Sequence, residues 1–322
     1  MKVCVLGSGA YGISLSSILN KNKISTCLWT FSESECEELK TKRISPKLEG
    51  YKIPSDIEIT TNLEYAVKNS DLIVIAVPGF AFEEIIIRLK HIIKREQSIL
   101  IATKGIQQDT CLFLSDILTN HLKNKYAVIS GPTFAIDIVR NARVGFSLAT
   151  KSTKVEILVR KCFENDTTKF RRTKDVIGIE ICGSIKNVIA IASGVLSGMK
   201  VPDSTKALFL TESLNDIKEL IHALGGNKKS ILSYAGFGDI LMTCTSNTSR
   251  NYSFGYLIGN GASMDEVNEF LNKTTVEGMY TLKSIHKLVR KRNVKMPIIN
   301  LIYDIVNGKK DKEELLEFLI VK

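Results

Sequence analysis

The chain has 322 residues, 44% of them hydrophobic and 24% charged, which suffices for two domains with separate cores and is too apolar for a disordered protein. The net charge of +10 fits attraction of a small anionic ligand; its basic clusters, Lys169 to Lys174 and Lys283 to Lys295, lack interleaved aromatics, so no nucleic-acid partner is expected. Seven scattered cysteines without a Cys-x-x-Cys pair and four dispersed histidines show no metal set, and Met1-Lys2 opens directly into an apolar segment, so a cytoplasmic chain with reduced thiols and no bound metal is expected.

Lys2 to Leu6 reads as a short buried strand. Gly7-Ser8-Gly9-Ala10-Tyr11-Gly12 follows, then an apolar-periodic run from Ile13 to Leu19. This is a G-x-G-x-x-G in its required setting, strand before and helix after. Gly7 suits the tight turn, Gly9 lets a pyrophosphate approach the backbone, and Gly12 lets helix and strand pack, with the helix N-terminus facing the phosphates. A dinucleotide is therefore the expected cofactor. The second strand, Ser25 to Thr30, ends without an acid or an arginine to choose between NAD and NADP; Glu33 is the nearest acid and could as easily open the next helix.

Arg43 to Asp56 reads as a loop. Strands are expected at Asp71 to Val77, Ser98 to Thr103, Tyr126 to Ser130, Val144 to Ala149 and Thr168 to Arg172, with helices at Phe80 to Lys94 and Thr110 to His121. Lys104 and the run Gly131-Pro132-Thr133-Phe134-Ala135 then fall at strand C-terminal ends, where open α/β sheets bind ligands. The fold class expected is an α/β Rossmann-type dinucleotide-binding domain over 1–175, followed by an all-α substrate and catalytic domain over 176–322.

Val176 to Met199 opens the second domain. It is long and apolar enough to cross a bilayer, but it carries Glu180, Lys186 and Asn187, so a helix buried in protein is expected and stable membrane insertion is not. Gly183, Asn187, Ala190 and Gly194 put small groups on one face, leaving room for another backbone or a ligand. Lys186 is either a lysine snorkelling at the helix edge or one held in a dry cleft for catalysis. Farther on, Tyr234 to Thr245 leads to Ser249-Arg250-Asn251. Asp239 and Ser249 could cap helices, or they could belong to a polar site.

The chain resembles bacterial-type NAD(P)-dependent glycerol-3-phosphate dehydrogenases over essentially its whole length. The resemblance is carried by G-S-G-A-Y-G at Gly7, A-T-K-G at Ala102, S-G-P-T-F-A at Ser130, G-S-I-K-N-V-I-A-I at Gly183, G-F-G-D-I-L-M-T-C-T at Gly236, S-R-N at Ser249, V-E-G at Val276 and M-P-I at Met296. It implies reduction of dihydroxyacetone phosphate to sn-glycerol 3-phosphate, supplying glycerophospholipid synthesis, by a homodimer using NAD or NADP. It further implies cofactor contacts at Gly7, Gly9, Ala10, Tyr11, Gly12, Phe31, Lys104, Ala135, Arg250, Thr275 and Glu277. Lys104, Gly131, Thr133, Lys186, Asp239, Ser249, Arg250 and Asn251 match substrate positions, and Lys186 matches the proton-transferring lysine. Lys104 is the candidate neighbour of Lys186 in catalysis and Asp239 its candidate orienter. The chain departs from the family's pattern at Ser204, at Glu212-Ser213 and at Phe31.

Overall fold

Eight short strands build the first half of the chain: β1 (Lys2–Leu6), β2 (Ser25–Trp29), β3 (Glu58–Thr60), β4 (Leu72–Ile75), β5 (Ser98–Ile101), β6 (Tyr126–Ser130), β7 (Val144–Ala149) and β8 (Thr168–Thr173). The computed structural model describes residues 1–321. The strands form one sheet in the order β3-β2-β1-β4-β5-β6-β7-β8. Every neighbouring pair is parallel except β6 and β7, which run antiparallel. Central strands such as LIVI in β4 and SILI in β5 are buried along their whole length, as parallel strands covered on both faces must be. The chain leaves β1 for β2 on one side, and β4 lies on the other. The C-terminal ends of β1 and β4 therefore flank the crevice where ligands enter such sheets.

The helices of this half are α1 (Ala10–Lys21), α2 (Glu33–Lys42), α3 (Leu63–Lys68), α4 (Phe82–Leu89), α5 (Leu114–His121), α6 (Ala135–Val139) and α7 (Thr153–Phe163). The apolar face of α1 and the strands β1, β2 and β4 share a core with α7, where the Phe146 and Phe170 rings stack at 5.1 Å. The helix expected over Phe80 to Lys94 ends earlier, at Leu89. A turn takes over there: the buried Gln97 side chain accepts from the Lys94 amide at 2.7 Å and donates to the carbonyls of Val67 and Ser70. The Lys94 amide, which a longer α4 would have bonded internally, is satisfied in this way.

Among the described residues no strand follows Val176. The helices are α8 (Val176–Gly198), α9 (Asp203–Ala223), α10 (Asp239–Cys244), α11 (Arg250–Gly259), α12 (Met264–Lys273), α13 (Glu277–Lys291), α14 (Pro297–Val306) and α15 (Glu314–Val321). The chain divides into two compact units, Met1–Lys104 with Leu114–Val176, and Gly105–Phe113 with the chain from Ile177 onward. The excursion Gly105–Phe113 is tied to α13, where Ser284 Oγ donates to the Ile106 carbonyl at 3.2 Å and Lys287 Nζ to that of Asp109 at 2.7 Å.

Helix α8 runs buried through the second unit; 94% of its most apolar 18-residue window is covered by protein. Its small-residue face meets the backbone of α11. A Cβ on Gly194 would lie 2.1 Å from the Tyr252 carbonyl oxygen, and one on Gly255 would lie 1.8 Å from that of Ile191. Only glycine at both places lets the two helices touch backbone to backbone, which fixes where α11 begins.

Candidate active site

The turn after β1 is built as the glycine spacing requires. Gly7 takes φ of 118°, a value that side chains rarely tolerate, and its amide donates to the Trp29 carbonyl at 3.0 Å. A Cβ on Gly12 would lie 1.9 Å from the Gly7 carbonyl oxygen, so that helix and loop pack only through glycine. Gly9 is different: nothing lies within 4 Å of where its Cβ would be. Gly9 is also the N-cap of α1 and provides no side-chain cap, so the first amides of α1 are left for another acceptor. An open backbone cradle at a helix N-terminus suits a pyrophosphate, and the residues present fit a dinucleotide. Ala10 and Tyr11 open α1 half-buried, while Phe31, just past β2, is 75% exposed with its ring steeply inclined to that of Trp29, centroids 6.4 Å apart. Glu33 is the first residue of α2 and accepts from Thr61 Oγ1 at 2.8 Å; Ser32 caps that helix.

Three strand ends bring a second group together. Lys104, past β5, sets its ammonium 4.9 Å from the centre of the Tyr11 ring. The Tyr11 hydroxyl lies 3.3 Å from Thr133 Oγ1, which donates to the Gly131 carbonyl at 3.1 Å. Gly131 has no room for a side chain, since a Cβ would sit 2.1 Å from the Gly145 carbonyl oxygen of β7. Ala135 is the first residue of α6. Tyr11, Lys104, Gly131 and Thr133 thus share one edge of the sheet.

In the second unit, Lys186 does not snorkel. Its side chain is 8% exposed and its Nζ lies 2.5 Å from Asp239 Oδ1, on a carboxylate with no exposure at all. Asp239 does not cap α10; that position belongs to Gly238, and the Asp239 carboxylate turns to the lysine instead. A kink at Gly236, with φ −83° and ψ −108°, reorients the chain just before it. Thr243, one turn farther along α10, donates from Oγ1 to the Asp239 carbonyl at 2.5 Å and lies 3.3 Å from Oδ1. Burial pushes the neighbouring Cys244 thiol well up, with Lys186 opposing and Asp239 adding, so it stays protonated.

Two asparagines meet the start of α13. Asn187 donates to Glu277 Oε2 at 3.4 Å, and Asn251 Oδ1 accepts from the Gly278 amide at 2.8 Å. Ser249 caps α11 by accepting from the Tyr252 amide. Arg250, the first residue of α11, is exposed and makes no side-chain hydrogen bond or ion pair among the described residues. A free guanidinium at a helix N-terminus can take an anion. Thr275 and Glu277 lie exposed at the entry to α13. Thr243 and Gly278 stand within the sequence blocks at Gly236 and Val276 but were not among the site residues expected; the signal for Thr243 was its i+4 spacing from Asp239 on a helix.

The N-terminal and C-terminal family profiles of NAD-dependent glycerol-3-phosphate dehydrogenase match residues 2–156 and 175–317. A glycerol-3-phosphate dehydrogenase (NAD(P)+) of Fusobacterium nucleatum is 35% identical over 326 residues, covering 100% of this chain and 97% of the relative. The enzyme of that name from a Thermoanaerobacter strain is 35% identical over 322 residues, again covering 100% and 97%. The crystal structure of glycerol-3-phosphate dehydrogenase from Coxiella burnetii superposes with a TM-score of 0.94 at 28% identity, covering 100% of this chain and 99% of that one. The glycine loop, the buried lysine on its aspartate and these full-length similarities agree: the chain belongs to the NAD-dependent glycerol-3-phosphate dehydrogenase family.

Proposed function

We propose that the chain reduces dihydroxyacetone phosphate to sn-glycerol 3-phosphate with NADH or NADPH, and that Lys186 carries the proton. The observation behind the proton role is the buried Lys186–Asp239 pair, 2.5 Å apart on helices α8 and α10. When bound, the nicotinamide supplies the hydride. Hydride arrival at the ketone carbon leaves an alkoxide, and the Lys186 ammonium donates its Nζ proton to that oxygen; in the reverse direction the neutral amine takes it back. Asp239 holds Nζ in one place, and Thr243 restricts the carboxylate in turn. Burial of both partners keeps water from competing for the proton.

Arg250 is assigned the substrate phosphate, because its planar fork makes paired charge-assisted bonds. Ser249 and Asn251 flank it, and Asn251 also braces the Glu277–Gly278 turn. In the first unit, Gly7, Gly9, Ala10 and Gly12 are assigned the pyrophosphate, Phe31 the adenosine end, and Tyr11 and Ala135 further cofactor contacts. Lys104, Gly131 and Thr133 are assigned the reacting end. Thr275 and Glu277 are assigned cofactor contacts from the second unit. The proposal includes a homodimer working in the cytoplasm and feeding glycerophospholipid synthesis.

Oxidation of NADH and of NADPH, each followed by absorbance after adding dihydroxyacetone phosphate, tests the reaction. Stoichiometric appearance of the sn-3 phosphate is expected with at least one cofactor. Binding of cofactor without oxidation by this ketone would point instead to a sensing module.

A further inference from the structure

Glu35 sits on α2, yet its carboxylate reaches back to the glycine loop. Ser8 Oγ and Thr30 Oγ1 lie 2.8 Å apart, and both are within donating distance of Glu35 Oε2, at 2.9 and 3.0 Å. The other oxygen takes the Lys47 ammonium at 2.5 Å. Burial alone would raise the Glu35 carboxyl, but the bonds from Lys47, Ser8 and Thr30 outweigh it and hold the group below the usual carboxylate range. The carboxylate is therefore ionised at neutral pH.

Its position gives that charge a consequence. Thr30 follows β2 directly, and in a doubly wound sheet the end of the second strand faces the adenosine ribose. An acid there accepts from ribose hydroxyls, whereas a 2′-phosphate needs a cation. The cations of the segment that follows β2 are engaged: Lys40 by Glu37 at 3.1 Å, Lys42 by Glu38 at 2.9 Å, and Arg43 Nη1 by the carbonyls of Pro54 and Ile57 at 3.3 and 2.7 Å; Arg88 of α4 stands over the Trp29 ring, 5.4 Å from its centre. Phe31, exposed just past β2, offers a 2′-phosphate no charge.

We infer that Glu35 makes the site prefer NADH to NADPH, its carboxylate opposing a 2′-phosphate while its grip on Lys47 withholds that ammonium. The inference rests on the dinucleotide reading above and specifies which dinucleotide that site takes.

Calorimetric titration of the substrate-free protein with NADH and with NADPH tests it without reference to turnover. The parent protein is expected to bind NADH about tenfold or more tightly than NADPH, the scale of a like-charge approach. Glu35→Gln keeps an acceptor for Ser8 and Thr30, removes the charge and releases Lys47, so the ratio should narrow by about tenfold, chiefly through gained NADPH affinity. Lys47→Ala, at a side chain 44% exposed, should leave the ratio as large or larger, and it carries the test should Glu35→Gln not fold. A parent that binds NADPH as tightly as NADH overturns the inference. So does a Glu35→Gln protein whose two affinities change in proportion, the result if Glu35 merely supports the loop, or a Lys47→Ala protein whose ratio falls. Binding of neither cofactor would sink the dinucleotide reading itself.

Discussion

At Lys186 and Asp239 each residue leaves the other stranded when removed. A buried pair stripped of one partner costs about 3–5 kcal/mol, because the remaining charge has lost both water and counter-ion. Lys186→Met and Asp239→Leu are each expected to lower unfolding free energy on that scale. The double variant, which removes both charges, should be more stable than either single one, with a coupling of about 0.5–3 kcal/mol measured by urea unfolding. Additive losses would mean that the 2.5 Å contact is not the interaction that matters. Arg250 is the opposite case, exposed and unengaged among the described residues, so its replacement should spare stability. Arg250→Lys keeps the charge but loses the fork, and the apparent affinity for dihydroxyacetone phosphate should fall by about tenfold with the melting temperature unchanged. Unaltered affinity would remove the phosphate from Arg250. Lys186 and Asp239 stood out by residue type: a lysine inside an apolar helix and an acid behind two glycines. Their joining was a matter of chemistry and resemblance until the fold closed the 53-residue separation.

At the scale of elements, glycine placement sets two further expectations of opposite kind. Gly255→Ala puts a methyl group 1.8 Å from the Ile191 carbonyl oxygen, so α11 must move away from α8 and carry Arg250 with it. Overpacking of this sort costs about 1–3 kcal/mol, and calorimetry should show it as a lowered melting temperature together with weaker substrate binding. A Cβ on Gly9 meets nothing within 4 Å, so Gly9→Val should fold normally, yet it fills the cradle before α1. The stabilisation that saturating cofactor gives, about 2.7 kcal/mol at a hundredfold excess over Kd, should then vanish; its persistence would move the pyrophosphate elsewhere. The strand–glycine–helix start was legible because local spacing dictates it. The edge strand β3 was not: three residues, EIT, carry no periodicity, and pairing with β2 alone makes them a strand. The antiparallel turn of β7 was equally hidden. The only helix between β6 and β7 is the five-residue α6, and pairing across the sheet sets their relative direction. The Glu35 network escaped for a related reason, since its partners lie 27, 12 and 5 residues away.

For the whole molecule, two compact units carry different chemistry: a parallel-dominated sheet with the glycine loop, and a helical body with the buried ion pair. The segment Gly105–Phe113, which leaves the first unit to pack with α13, shows that the division does not follow a single cut in the sequence. Folding and cofactor binding can therefore persist while proton transfer fails, and this separation gives the most direct test of the reaction assigned to the chain. The measurement is turnover of Lys186→Met with dihydroxyacetone phosphate, alongside its dissociation constant for reduced cofactor. Turnover lower by about 10²–10⁴-fold with an unchanged cofactor constant is the result expected of a lost general acid. Turnover within about threefold of the parent, in a variant that still binds cofactor, would contradict it and leave the proton to another group.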